Sequence, residues 1–255
     1  MSDVSFPAVP AVPETPALTQ MQRVVYTFTA PSKTFNDIKR SNSWWMPFLI
    51  LAIAGYILFA AVTSKIGMQQ LVDNQMRMDP KTEARLANAP PDQKAMTEKI
   101  SLYVTEGVFI ANPLLVLIGV GVLSLGLWAT VNFAFGGKAP YFNVFSAWLY
   151  ASLPTVIKTL LGTAVIFSGL DPESFNIKNF APTNAAAIFL NPVDSNKALY
   201  ALASSLDIIT IWTLVLLSIG VSTVAGVKRS AGYTAVFGWW AIFVLIGVGW
   251  AAAFS

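Results

Sequence analysis

The apolar positions of this 255-residue chain change pattern twice between its start and residue 46. Up to about residue 17 they follow no helical or strand period. From there Leu18, Met21, Val25 and Phe28 recur at spacings of 3, 4 and 3, one face of a helix. Beyond Trp45 the runs become apolar all round, the texture of helices with lipid rather than water outside them. Five such runs, about 46–64, 109–135, 144–170, 202–227 and 233–254, can each cross a hydrocarbon core of ~30 Å. The expected fold class is therefore all-α: a polytopic membrane protein with five transmembrane helices.

The segment ahead of the first span reads as two short amphipathic helices. Pro31 ends the first, and Ser32 or Thr34 can cap a second that carries Phe35 and Ile38, with Lys33, Lys39 and Arg40 on its polar side. Trp44 and Trp45 stand where the chain enters lipid, the usual place for amphipathic rings. Residues 17–46 are expected to lie on the membrane surface; an ordinary pre-membrane linker is the plainer alternative. In the tail, 1–20, Pro7, Pro10, Pro13 and Pro16 would line one edge of a polyproline II helix. That suits a docking peptide, but a disordered lead-in is the expectation. The rest, 21–255, is expected to form one membrane domain.

The longest connection, 65–108, is not a bare tether. Met68, Leu71, Val72, Gln75 and Met76 fall at helical spacing, Asp79-Pro80 and Pro90-Pro91 break the pattern, and Met78 and Met96 add to its methionine content. A helical cap packed on the bundle is expected, with an adaptable Met-rich binding face as the alternative. The first apolar run begins too far along for a secretory signal, so it is expected to stay as an anchor.

Charge then orients the bundle. The short connection around Lys138 and the turn Lys228-Arg229-Ser230-Ala231-Gly232 contain bases and no acid, and Lys33, Lys39 and Arg40 outnumber Asp37 before the first span. The connections 65–108 and 171–201 are balanced or acidic. The positive-inside rule puts the N-terminus in the cytoplasm and the C-terminus outside. Small residues repeat every four positions, at Ser218, Ser222 and Gly226, then at Gly247 and Ala251 and at Gly249 and Ala253. They are expected to pack the last two spans as a tight hairpin, with dimerisation through the same stripes as the alternative. Pro154 should kink the third span.

Composition narrows the chemistry. The chain is 55% hydrophobic and 11% charged, against about 25% charged in soluble domains. A net charge of +3 without a basic block gives no footing for nucleic acid. With neither Cys nor His there is no thiol nucleophile, imidazole base, His/Cys zinc site or His- or Cys-ligated haem. No cofactor, metal or catalytic residue is expected.

Two charged residues fall inside spans, Lys158 and Asp207. Counting ~1.5 Å per residue from the span ends puts them ~21 and ~22 Å up a ~30 Å core. A charge at that depth costs at least ~2.5–3.5 kcal/mol. Three readings of Asp207 stand open: a helix cap just after Ser204-Ser205, the partner of Lys158, or an ion or proton site. A transporter would carry more polar residues than these with Asn112 and Asn132. A Ser-Lys hydrolase would need a serine where Thr155 and Thr159 flank Lys158.

Three stretches resemble one family. "APSKTFNDIKRSNSWWMPFLI" resembles the opening of the bacterial Yip1-domain proteins, with Pro31 and Phe35 ahead of the first span. "FNVFSAWLYASLPTVIK" is similar to their third span, through Tyr150 and Pro154, and "SLDIITIWTLVLLSIGVS" to their fourth, through Asp207, Trp212 and Gly220. The resemblance implies a multi-pass protein with a cytoplasmic N-terminus. Its eukaryotic members act in vesicle traffic and bind small GTPases, but their Asp-Leu-Tyr-Gly-Pro signature is absent here, so that activity does not carry over. The reading is a non-enzymatic scaffold of the bacterial inner membrane, in contact with lipid and with other membrane proteins or itself. The alternative is a transporter subunit using Lys158 and Asp207.

Overall fold

The computed structural model describes residues 16–192 and 194–253; the tail expected to be disordered lies mostly outside the described residues. Two short helices open it, α1 (Gln20–Thr29) and α2 (Pro31–Ile38). Thr19 caps α1 in a reciprocal capping box with Gln22, and Pro31 occupies the first turn of α2, where its missing N–H costs nothing. The first span, α3 (Trp45–Ala61), continues through a π turn to Ile66. Then come α4 (Met68–Arg77) and α5 (Pro80–Ala87), as expected of a helical connection.

The second span is longer than expected. Helix α6 runs from Pro91 to Ala129 and on through a π turn to Ala134, 44 residues in all. Its length is ~66 Å, over twice what a ~30 Å core needs. The segment before residue 109, expected to lie outside the span, belongs to the same helix. Only Pro91 and Asp92 mark its start, and Pro113 passes without a break.

The third span is divided instead of kinked: α7 (Tyr141–Ala151) ends, and α8 (Pro154–Phe167) begins on the proline itself. After two 3-10 turns come α9 (Ala185–Phe189) and α10 (Lys197–Ser205). The fourth span, α11 (Ile208–Ala225), starts six residues later than the expected 202, because α10 is a separate helix. Gly226, at φ 68°, closes α11 in the left-handed conformation, and the fifth span, α12 (Arg229–Ala253), begins by residue 229. All five spans are long and apolar enough to cross a membrane, and among the described residues the protein is all-α apart from one isolated bridge, Asn184 to Asp207.

The main core lies where α2, α6, α7, α11 and α12 meet, around Phe35, Leu127, Tyr150, Leu217, Val221 and Val236. The α11–α12 hairpin closes on small residues, with Gly232 seated so tightly that an added Cβ would fall 2.5 Å from the Ser218 carbonyl and 2.8 Å from Ser222 Cβ. Gly247 and Gly249, expected to help, have nothing within 4 Å of that position and take no part in the hairpin. Asn132 is a clamp for the α6–α7 turn, its side chain bonding both the N–H and the carbonyl of Ala139 at 2.9 Å. In α4, Met68, Leu71 and Val72 are buried as the spacing predicts, but the fastening is polar: Asn74 donates to the carbonyls of Pro172 and Phe175 at 2.7 and 3.0 Å.

Candidate functional site

Helix α1 buries polar residues that its apolar stripe did not point to. Its apolar Met21 and Val25 are 58% and 49% exposed, whereas Arg23 and Thr27 are buried. The inward side of α1 carries Arg23 and Thr27 beside Val24 and Phe28, which pack on the main core, while Met21 and Val25 face outward. The amphipathic pair thus does more than lie on the surface: it docks into the bundle. Arg23 is held on three sides. Its Nε donates to Asp37 Oδ2 at 2.7 Å, Nη2 meets the same oxygen at 2.7 Å, and Nη1 donates to the Ser41 carbonyl at 2.9 Å. The other oxygen, Asp37 Oδ1, accepts from Arg40 at 2.6 Å and from the Leu18 amide at 3.3 Å. Burial pushes the Asp37 carboxyl up, but hydrogen bonds from Arg40, Arg23 and Leu18 outweigh it and hold the group below its ordinary 3.8.

Sequence reading missed this cluster by following the apolar stripe of α1. A second stripe, Gln20, Arg23 and Thr27 at spacings of 3 and 4, was there to be read.

The second charged cluster contains Lys158 and Asp207. The helix register of α8 directs Lys158 toward α11, and Nζ lies 2.8 Å from Asp207 Oδ2. Asp207 is not five residues inside a helix, as the expected span would have it, but the N-cap of α11; Oδ1 accepts from the Thr210 amide at 2.9 Å. Thr183 donates a third bond, to Oδ2 at 2.6 Å. It is delivered by a strand-like pairing, with the Ile208 amide on the Thr183 carbonyl at 3.0 Å and the Ala185 amide on the Leu206 carbonyl at 3.3 Å. One carboxylate oxygen caps and the other pairs. Asp207 is only 2% exposed and the Lys158 side chain 20%, the ammonium also standing 5.6 Å over the Phe180 ring.

The remaining motif positions converge, across large sequence separations, on the seat of the N-terminal helices. Phe35, from α2, lies against Gly220, where an added Cβ would come within 2.9 Å of the ring. Trp212 meets Phe28 edge to face at 5.7 Å. Tyr150 is fully buried and its hydroxyl donates to Gln20 Oε1 at 2.8 Å. Pro31 and Pro154 start the helices that carry Phe35 and Lys158.

The description "Yip1 domain" matches residues 25–251 as a family. This chain belongs to the Yip1 domain family. A relative, the membrane protein YknW of Bacillus subtilis (strain 168), is 24% identical over 224 residues, covering 86% of this chain and 83% of that protein. No solved structure matches. The Yip1 match takes in both charged clusters apart from Arg23, which precedes it. Among the described residues this Yip1 domain holds no group of three His, Cys, Asp or Glu able to bind a metal ion.

Proposed function

We propose that this Yip1-family membrane protein is a non-enzymatic scaffold of the bacterial cytoplasmic membrane, joining other membrane proteins or copies of itself. The observation that carries the reading is how the two buried carboxylates are used. Asp37 and Asp207 each spend both oxygens on donors from this chain. Carboxylates so occupied fasten helices together, whereas ion carriage calls for acceptors that open and close.

Flux tests this against transport. Vesicles holding the protein are expected to leak protons, sodium and potassium no faster than empty ones. Flux that Asp207→Asn abolishes would instead establish the transporter reading. Crosslinking in cells from single positions in 67–90 is expected to give discrete partner bands, and none from any position would count against a scaffold.

The N-terminus is assigned to the cytoplasm and the C-terminus to the outside. In support, the basic groups converge on one end of the bundle: Arg229 bonds Ser32 at 2.9 Å, and the Lys138 amide bonds the Ala225 carbonyl at 3.1 Å. A reporter active only outside is expected to work when fused after Ser255 or within 75–95, and to fail after Arg40 or at Lys138. The opposite pattern overturns the orientation.

A further inference from the structure

A cavity of about 620 Å³ lies between α3, α6 and α8. Along α6 it runs from Val104 to Val120, ~24 Å at ~1.5 Å per residue. Its deep end is walled by Leu51, Val116 and Val120, and its mouth by Gln75, Ile177 and Phe180. Phe180 is fixed there by Gly162, where an added Cβ would fall 2.2 Å from the ring. At the lip, Val104 and Val108 are more than half exposed.

The polar content of this slot is specific. No lining residue is ionisable, and Lys158, on the neighbouring face of α8, is turned to Asp207. The hydroxyls of Ser152, Thr155 and Thr159 donate to carbonyls of their own chain, Trp148, Ser152 and Thr155, at 2.7–3.0 Å. That leaves Asn112. Its amide nitrogen lies against Gly55, 2.9 Å from where a Cβ would be, and no hydrogen bond holds it among the described residues. One turn away, Pro113 deprives the Phe109 carbonyl of its helical donor.

We propose that this slot binds one acyl chain of a membrane phospholipid, threaded along α6 from the α4 end. Three features argue for that occupant. The slot is long and narrow, its walls are mostly Val, Leu, Ile and Phe, and it lies between spans that have lipid on their outer side. A charged or strongly hydrated solute would find no counter-charge in the lining and, in its depth, only the Asn112 amide as a free donor, with Gln75 and Thr105 near the mouth. The Asn112 amide suits a single carbonyl acceptor such as an ester.

The test uses the full-length protein in vesicles containing a phospholipid with a photoactivatable diazirine in its acyl chain. Adducts are expected on slot residues of α3, α6 and α8, above the level on outward residues such as Leu114 and Ile118. Ala54→Trp, or the milder Val116→Phe should the first not fold, narrows the bore. Either should cut slot labelling by about tenfold, the loss expected when about two methylenes lose their burial, with outward labelling unchanged. Uniform labelling, or slot labelling untouched in the narrowed variant, means annular lipid only and overturns the proposal. Because the chain has no Cys, Thr159→Cys adds a second readout. A charged, membrane-impermeant maleimide should leave it unmodified in intact vesicles; reaction as fast as at the exposed control Asn88→Cys would mean a water-filled cavity and overturn it equally.

Discussion

Lys158→Met lowers stability by about 3 kcal/mol, because it leaves Asp207 charged, nearly fully buried and without its cation. The figure belongs at the low end of the ~3–5 kcal/mol range for broken buried pairs, since the Lys158 side chain keeps 20% exposure. The geometry also sets the order of rescue. Lys158→Met with Asp207→Asn removes the stranded charge and keeps an oxygen for the Thr210 amide, so it should recover most of the loss. Lys158→Met with Asp207→Leu loses the cap as well, at about 1 kcal/mol, and leaves the Thr183 hydroxyl without its acceptor. Asp207→Asn alone strands Lys158 and should cost more than in the double variant. A double-mutant cycle read by thermal shift in detergent measures the coupling directly. A coupling near zero would reduce Asp207 to a cap and remove the ion pair from any account of this bundle.

Asp37→Leu should cost more, about 4–5 kcal/mol, because Arg23 is 2% exposed and has no other carboxylate among the described residues. What remains to hold the N-terminal helices is Phe35 and Ile38, worth about 1.5–3 kcal/mol each when fully buried, with the partly buried Val24 and Phe28 and the Tyr150–Gln20 hydrogen bond. The lost pair is of the same size, so docking becomes marginal. A spin label at Val25 should go from slow to fast motion in this variant, while labels on α12 stay unchanged. Slow motion at Val25 in both proteins would mean that the apolar seat suffices and the charges are incidental.

Acid should act in the same direction. The Asp37 carboxyl sits below its ordinary 3.8 in the folded protein, so the pair's contribution is complete above about pH 4. It falls away only as pH drops through the lower folded value. Docking should therefore be flat from neutral pH to about 4 and loosen below that.

Much of the architecture was legible in the residues alone. A span is recognised by its own apolarity, because the solvent it faces is lipid over its whole length, and no knowledge of its neighbours is needed. The five spans, the short helices before them, a disturbance at Pro154 (expected as a kink, found as a division) and the helical 65–108 connection all follow from local periodicity and breakers. Residue types also limited the chemistry, since a chain without His or Cys has few ways to bind metals or activate nucleophiles.

Tertiary structure decided what depended on a second segment. Helix α11 begins at Ile208 and not at 202 because residues 183–185 pair with 206–208, which no periodicity in 202–227 encodes. That same pairing brings Thr183 to Asp207. The inward polar edge of α1 follows from the position of Asp37 in the next helix and of Tyr150 in the third span. The slot beside Asn112 exists only because α3, α6 and α8 meet with glycine at Gly55 and a break before Pro154. Burial in lipid is a one-body property of a segment, whereas the partner of a buried charge is a two-body property of the packed fold.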